Sequence, residues 1–193
     1  MKNIAIFASG SGTNAENIIQ YFSNKKSARV SMVLSNKREA YVLKRAKAFG
    51  VKTVFFDRDD FYNSGRVLGM LIEDNVEFVV LAGFLWLVPP EILGHYAGRI
   101  VNIHPALLPR HGGRGMYGDR VHRAVIEAGE KESGITIHYV NDVYDAGDII
   151  FQATCEVDID DTPESLASKV HALEYRYFPE VIEKLLLKDQ QID

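Results

Sequence analysis

Two short motifs contain side chains that could together catalyse an acyl transfer. Asn102 and His104 lie in Asn-Ile-His-Pro, and Asp145 lies in Tyr-Asp-Ala-Gly-Asp. An amide can donate a hydrogen bond to an oxyanion, an imidazole can donate and later release a proton, and a nearby carboxylate can raise the imidazole pKa and keep the ring charged near neutral pH. A histidine beside a proline is also common as a packing residue, and Asp145 could be an ordinary turn residue. The chemistry depends on whether the fold brings the three together.

The hydrophobic pattern indicates where Asn102 and His104 lie. Residues 100–103 form an apolar run typical of a buried strand. Side chains two positions apart on a strand share a face, so Asn102 and His104 project together from its carboxyl end. That end of the strands is where open α/β sheets bind ligands.

Apolar runs alternate with segments of helical spacing along the first half of the chain. The predicted strands are 4–8, 30–34, 51–56, 76–82 and 100–103, and the predicted helices follow the glycine loop that ends at residue 12 and cover 40–49, 61–74 and 89–96. Such alternation is typical of a parallel sheet covered by helices. The sequence therefore predicts a single α/β domain over residues 1–193, with a mostly parallel central sheet and helices on both faces.

The second half of the chain departs from this alternation. A Gly/Pro-rich stretch at 105–118 is predicted to be a long surface loop, and loops of that length in compact domains are usually functional. A helix at 121–128 and two late strands at 135–140 and 149–157 follow, and these strands make the sheet mixed. Thr162-Pro163 is suited to begin a last helix, with Thr as the N-cap and Pro at the first helical position.

The turn after the first strand has the composition of a phosphate-binding loop. In Gly10-Ser11-Gly12-Thr13-Asn14, glycines allow backbone N–H groups to approach a ligand, and the following helix N-terminus favours negative charge. The loop also fits a dinucleotide-binding pattern, but the second strand lacks the acidic residue that takes ribose hydroxyls. Arg38 leaves an NADP-dependent dehydrogenase open, and a purely connecting glycine turn is a further alternative.

Composition excludes several classes of protein. A length of 193 residues with 47% hydrophobic content fits one compact domain, and the net charge of −4 argues against a nucleic-acid partner. We find no membrane span or signal peptide, and therefore expect a cytoplasmic protein. Cys155 follows a strand pattern that turns its thiol toward the apolar side, and the six histidines show no metal-binding spacing, so no metal is predicted.

The motifs in combination resemble the folate-dependent phosphoribosylglycinamide formyltransferase family of purine biosynthesis. The resemblance runs from residue 3 to about residue 180 and rests on Gly-Ser-Gly-Thr-Asn after the first strand, Val80-Leu81-Ala82-Gly83-Phe84, His95-Tyr96-Ala97-Gly98-Arg99, Asn102-Ile103-His104-Pro105 with Leu107-Leu108-Pro109, and Asp145. It implies a Rossmann-like formyltransferase fold and direct transfer of a formyl group from 10-formyltetrahydrofolate, as co-substrate, to the amine of glycinamide ribonucleotide.

The resemblance also implies roles for individual residues. Asn102 and protonated His104 would stabilise the oxyanion, and Asp145 would hold His104 charged and help to move a proton. The phosphate of the ribonucleotide would bind at Gly10, Ser11, Gly12, Thr13 and Asn14, with Glu174 taking the ribose hydroxyls. The folate would contact Leu85, Trp86, Leu87, Val88 and Asn102, and the loop of Asp142, Val143 and Tyr144, ending at Asp145, would close over the pterin.

Some features differ from the commoner family pattern. Trp86 replaces an Arg that many relatives have, which suggests stacking instead of an ionic contact to the folate tail. The loop at 111–118 is a few residues longer than usual. We interpret His111 and His122 as surface or helix-packing residues, whereas His138 shares a strand face with Thr136 and is placed to support the site.

Other functions remain to be weighed beside this one. Methionyl-tRNA formyltransferase carries an additional C-terminal RNA-binding domain, and formyltetrahydrofolate deformylase carries a regulatory domain ahead of the core. Neither is expected in a chain whose first strand starts near Asn3 and that ends at residue 193. A non-catalytic nucleotide-binding module is the alternative from another class. Both a monomer and a homodimer are compatible with the sequence.

Overall fold

A computed structural model describes the protein over residues 1–188. Its central element is a seven-stranded sheet. The strands are β1 (Lys2–Phe7), β2 (Ala28–Ser35), β3 (Lys52–Phe55), β4 (Val76–Leu81), β5 (Ile100–His104), β6 (Glu132–Tyr139) and β7 (Ile149–Glu156). Their order across the sheet is β3-β2-β1-β4-β5-β6-β7. Neighbours from β3 to β5 pair in parallel, whereas β6 and β7 are antiparallel. The predicted mixed α/β sheet is confirmed; the last five residues of the predicted domain lie outside the described part.

Within residues 1–188, seven helices cover the two faces of this sheet. They are α1 (Thr13–Phe22), α2 (Tyr41–Ala48), α3 (Arg58–Tyr62), α4 (Arg66–Glu73), α5 (Pro90–His95), α6 (Asp119–Glu127) and α7 (Pro163–Lys188). Apolar residues of α1, α2, α6 and α7 share one core with alternate strand residues such as Ile4 and Ile6. Residues of α3, α4 and α5 pack on the opposite face, with Ala5 and Phe7. None of the helices within residues 1–188 is long and apolar enough to cross a membrane.

The helix predicted at 61–74 is in fact two helices. Asp57 caps α3 through a capping box with Asp60, and α3 ends at Tyr62. Gly65 then adopts a left-handed φ of 68° and begins α4. Apolar periodicity continues from Phe61 to Leu71 because both helices bury residues in the same core. The periodicity therefore concealed the break.

The last strand follows its predicted alternation except at its start. Phe151, Ala153 and Cys155 pack against the core, and burial raises the pKa of the Cys155 thiol. Ile149, predicted to face the same way, is 50% exposed. The register between β6 and β7 shifts at this point, and the irregularity turns Ile149 outward. The last helix begins as predicted, since the Ser165 N–H donates to the Thr162 hydroxyl.

Candidate active site

A cavity of about 500 Å³ lies at the carboxyl ends of the central strands. The glycine loop forms one side of it, the end of β5 forms its floor, and the loop after β5 and the loop after β6 close other sides. Of the residues predicted for the site, those that line it are Gly10, Ser11, Gly12, Thr13, Asn14, Leu85, Asn102, His104, Tyr144, Asp145 and Glu174. The sequence prediction thus identified residues from five separate segments that the fold brings to one place.

The glycine loop owes its shape to a close approach of two backbones. Gly12 has a left-handed φ of 78° as the N-cap of α1, and a Cβ atom there would come within 2.7 Å of the Val42 Cα. The Val42 N–H also donates to the Gly10 carbonyl at 3.1 Å, which fixes the loop against α2. The N-terminus of α1 is consequently turned toward the cavity, where it favours an anionic ligand.

The side-chain amide of Asn102, near the end of β5, contacts two other side chains. Its Nδ2 lies 3.1 Å from His138 Nε2 and 3.4 Å from Asp145 Oδ1. Since His138 Nδ1 lies 2.8 Å from its neighbouring Tyr139 carbonyl, Nδ1 carries the proton and Nε2 accepts from Asn102. His138 therefore contacts Asn102 directly, and its support of the site stays a prediction.

Asp145 connects the loop after β6 to the predicted catalytic residues. Its Oδ2 lies 3.4 Å from His104 Nδ1 and accepts a hydrogen bond from the Gly113 N–H at 2.9 Å. Burial raises the pKa of this carboxyl group, but the His138 and His104 rings and the Gly113 N–H outweigh burial and lower it overall. Asp145 is therefore ionised at neutral pH, in a backbone conformation with a left-handed φ of 53°.

His104 is almost fully buried, with a side chain 3% exposed. Burial lowers the pKa of the ring, and the opposing effects of Asp145 and of the His111 carbonyl do not fully compensate. The expectation that Asp145 keeps His104 charged near neutral pH thus needs a correction: Asp145 does favour the cation, but desolvation prevails. The family resemblance implied a carboxylate beside the ring but could not give the depth of burial.

A buried carboxylate also lines the cavity. Glu174 on α7 is 4% exposed, and its Oε2 accepts from Asn14 Nδ2 at 2.8 Å and from His171 Nδ1 at 2.9 Å. The hydrogen bond to Glu174 raises the pKa of His171. Asn14 and Glu174 thereby join the glycine loop to the last helix.

Sequence reasoning missed several residues that line the cavity. His171 lies three residues before Glu174 on α7, a spacing that places them side by side and could have identified it. His122 fits the packing interpretation in being buried, but it also lines the cavity, together with Arg114 and Arg120. His111 proved more involved than a surface residue, because its carbonyl oxygen lies 2.8 Å from His104 Nε2.

The predicted folate-binding residues separate into two groups. Leu85 and Tyr144 line the cavity, and the Tyr144 hydroxyl donates to the Leu85 carbonyl at 3.4 Å. Trp86 instead packs among Phe56, Phe61, Tyr62 and Phe84, with Arg58 5.3 Å from its ring. Trp86, Leu87, Val88, Asp142 and Val143 are not among the residues that line the cavity.

Within residues 1–188, no group of three or more His, Cys, Asp or Glu residues is placed to hold a metal ion. The polar groups of the cavity are instead an amide, imidazoles, carboxylates and backbone N–H groups. This set can bind an anion at one end and stabilise an oxyanion at the other.

Comparisons with known proteins agree with this geometry. The model of the formyl transferase family matches residues 2–182. Phosphoribosylglycinamide formyltransferase of Bacillus subtilis is 36% identical over 191 residues, which are 96% of this chain and 95% of that protein. The chloroplastic enzyme of that name from Arabidopsis thaliana is 38% identical over 94% of this chain, which spans 64% of the plant protein's length.

Solved structures show the same relationship. The crystal structure of phosphoribosylglycinamide formyltransferase from Bacillus halodurans superposes with a TM-score of 0.86 at 41% identity, covering 96% of this chain and 95% of that one. Glycinamide ribonucleotide transformylase 1 from Symbiobacterium toebii gives a TM-score of 0.89 at 34% identity over 97% of this chain and 89% of that one. The chain therefore belongs to the formyl transferase family.

Proposed function

We propose that this protein transfers a formyl group from 10-formyltetrahydrofolate to the amine of glycinamide ribonucleotide, a step of purine biosynthesis. The observation that carries the proposal is the meeting of Asn102, His104 and Asp145 in one cavity whose other end is the glycine loop. Relatives named phosphoribosylglycinamide formyltransferase, similar over nearly the whole chain, support the choice of substrates.

The ribonucleotide would bind with its phosphate at the glycine loop. The N–H groups of Gly12, Thr13 and Asn14 lie at the start of α1, where the helix dipole favours a phosphate. Glu174, which Asn14 and His171 hold in place, would accept hydrogen bonds from the ribose hydroxyls. This orientation would leave the glycinamide amine at the end of the cavity that contains His104.

Formyl transfer would then proceed by direct attack of the amine on the formyl carbon. Asn102 Nδ2 and the Nδ1–H of cationic His104 would donate to the developing oxyanion, because the contacts that both groups make with Asp145 are long, at 3.4 Å, and readily shared. Asp145 would stabilise the His104 cation and, through water, help a proton to move from the attacking amine to the folate nitrogen that leaves. No covalent enzyme intermediate is required.

The folate would enter beside Leu85 and Tyr144, which line the cavity next to Asn102. Trp86, Leu87 and Val88 do not line the cavity and would contact the part of the folate that extends beyond it, as would Asp142 and Val143. Asp142 and Val143 are exposed and lie in the loop that ends at Asp145, so that closing of this loop over the pterin would also position the carboxylate.

One assay tests the reaction and separates it from its alternatives. The protein is mixed with 10-formyltetrahydrofolate and glycinamide ribonucleotide together, and then with each alone, while tetrahydrofolate and formylated ribonucleotide are measured. We expect both products in equal amounts, and only when both substrates are present. Release of formate without the amine would indicate a deformylase, and binding of ligands without turnover would indicate a non-catalytic module; either result would overturn the proposal.

A further inference from the structure

A chain of contacts leads from the ring of His104 to the protein surface through the longer loop. His104 Nε2 lies 2.8 Å from the His111 carbonyl oxygen. The His111 ring, in turn, has Nε2 3.1 Å from Glu130 Oε1, and Glu130 Oε2 lies 2.5 Å from Arg110 Nη1. Glu130 thus contacts the loop residue whose backbone contacts His104, although it does not line the cavity itself.

The backbone of His111 is stabilised by such a contact. Its φ of 55° lies in the left-handed region, which a residue other than glycine occupies at a cost on the order of 1–3 kcal/mol and retains where surrounding groups hold it. Glu130 can provide this restraint because it lies three residues after the end of α6 and its N–H donates to the Val125 carbonyl at 3.3 Å. Relaxation of His111 to a negative φ would turn its carbonyl away from His104.

The direction of the His111 carbonyl determines where His104 carries its proton. A carbonyl oxygen only accepts hydrogen bonds, so Nε2 must be the protonated nitrogen of the neutral ring. Nδ1, which faces Asp145, is then the nitrogen that can gain and lose a proton. The other charged or titratable groups that face His104 are His138, Glu174 and His122. Among the described residues, none of these three groups forms a hydrogen bond with His104 Nε2.

We propose that Glu130 is a positioning residue for the transfer reaction, which acts through His111 to fix the tautomer of His104. The inference rests on the proposed function for its catalytic consequence. The tautomer itself is a property of the protein alone and can be measured without substrates. The contact with the His111 carbonyl also raises the pKa of His104, so loss of the restraint shifts that pKa downward.

The test compares Glu130→Ala with Glu130→Gln and with a matched control, Glu127→Gln. Glu127 is the exposed last residue of α6 and makes no side-chain contact with the loop among the contacts of the described residues. Nitrogen shifts of ¹⁵N-labelled histidine rings report the tautomer and titration of His104, whose signals are assigned by their absence in His104→Ala. Steady-state kinetics give kcat and KM for each variant.

In the native protein, neutral His104 should carry its proton on Nε2. Glu130→Ala should show a mixture of tautomers, a lower pKa, and a kcat reduced about two- to tenfold, the range expected for loss of one hydrogen bond, with little change in KM. Glu130→Gln retains an acceptor for the His111 ring and should lie between Glu130→Ala and the native protein. Glu127→Gln should match the native protein.

A second variant protects the test against misfolding. His111→Ala keeps the carbonyl, removes the ring that Glu130 holds and lacks the tolerance of asparagine for a positive φ, so it should reproduce the tautomer mixture of Glu130→Ala. An unchanged tautomer and pKa in both variants would overturn the proposal, even if kcat fell. A changed tautomer in a protein that transfers no formyl group would support the link from Glu130 to His104 and would overturn the proposed function instead.

Discussion

The two oxygen atoms of Asp145 face different partners, and Oδ2 lies 3.4 Å from Nδ1 of His104. The other oxygen, Oδ1, lies 3.4 Å from Nδ2 of Asn102 and 3.7 Å from the His138 ring. A single carboxylate therefore orients both side chains that are expected to stabilise the oxyanion. Its own position is fixed by the Gly113 N–H from the longer loop, at 2.9 Å.

Replacement of this carboxylate should affect turnover far more than binding. We expect Asp145→Asn to reduce kcat about a hundredfold to a thousandfold, the cost of losing one preorganised oxyanion group, while the KM for glycinamide ribonucleotide changes little. His104→Ala should reduce kcat to a similar extent, also with little change in this KM. Steady-state kinetics would measure both effects, with Asp148→Asn, an exposed carboxylate of the same loop, as the control. Native turnover in Asp145→Asn would contradict the assignment of Asp145.

The pH dependence of the reaction should reflect the buried state of His104. Burial holds the pKa of its ring below the ordinary value, so the cation that donates to the oxyanion is lost as pH rises through that low pKa. We therefore expect kcat/KM to fall with rising pH. Asp145 raises the His104 pKa, and its replacement by Asn should move the fall to lower pH, whereas Asp148→Asn should leave it in place. A fall that stays at the same pH in Asp145→Asn would refute this use of the cation.

Two glycines of the phosphate-binding loop should respond differently to substitution. Gly12→Ala places a Cβ against the backbone of Val42 at a left-handed φ, and we expect it to lower the free energy of unfolding by about 2–4 kcal/mol. Gly10 is exposed and has open space around its Cα, so Gly10→Ala should change stability by less than about 1 kcal/mol. Urea unfolding of the two variants measures the difference, and equal losses would contradict the described loop geometry.

The order and type of most elements could be predicted because each buries one apolar face in a core. Ile18 and Phe22 of α1, and the alternation of Phe151, Ala153 and Cys155 in β7, are read directly from periodicity. Periodicity does not register a break between two helices that pack on the same core. Gly65 marked that break, but glycine alone does not distinguish a break from a tolerated helical position.

The part of the site that could be predicted consists of side chains whose chemistry the sequence reveals. The contributions of His111 and Gly113 are backbone groups, a carbonyl and an N–H, and any residue type can supply these. Their direction depends on the conformation of a loop without regular structure. The low pKa of His104 was equally inaccessible, because it results from a balance between burial and neighbouring charges that only the packed fold defines.

The hydrogen bond between Asn14 and Glu174 has a consequence for biosynthesis of the protein. Asn14 belongs to the first helix, and Glu174 belongs to the last helix, which packs against the first. Until α7 emerged, a nascent chain still attached to the ribosome would therefore leave uncovered the part of α1 that packs against α7. Competence to recognise the ribonucleotide would be acquired only as synthesis of the described chain neared its end.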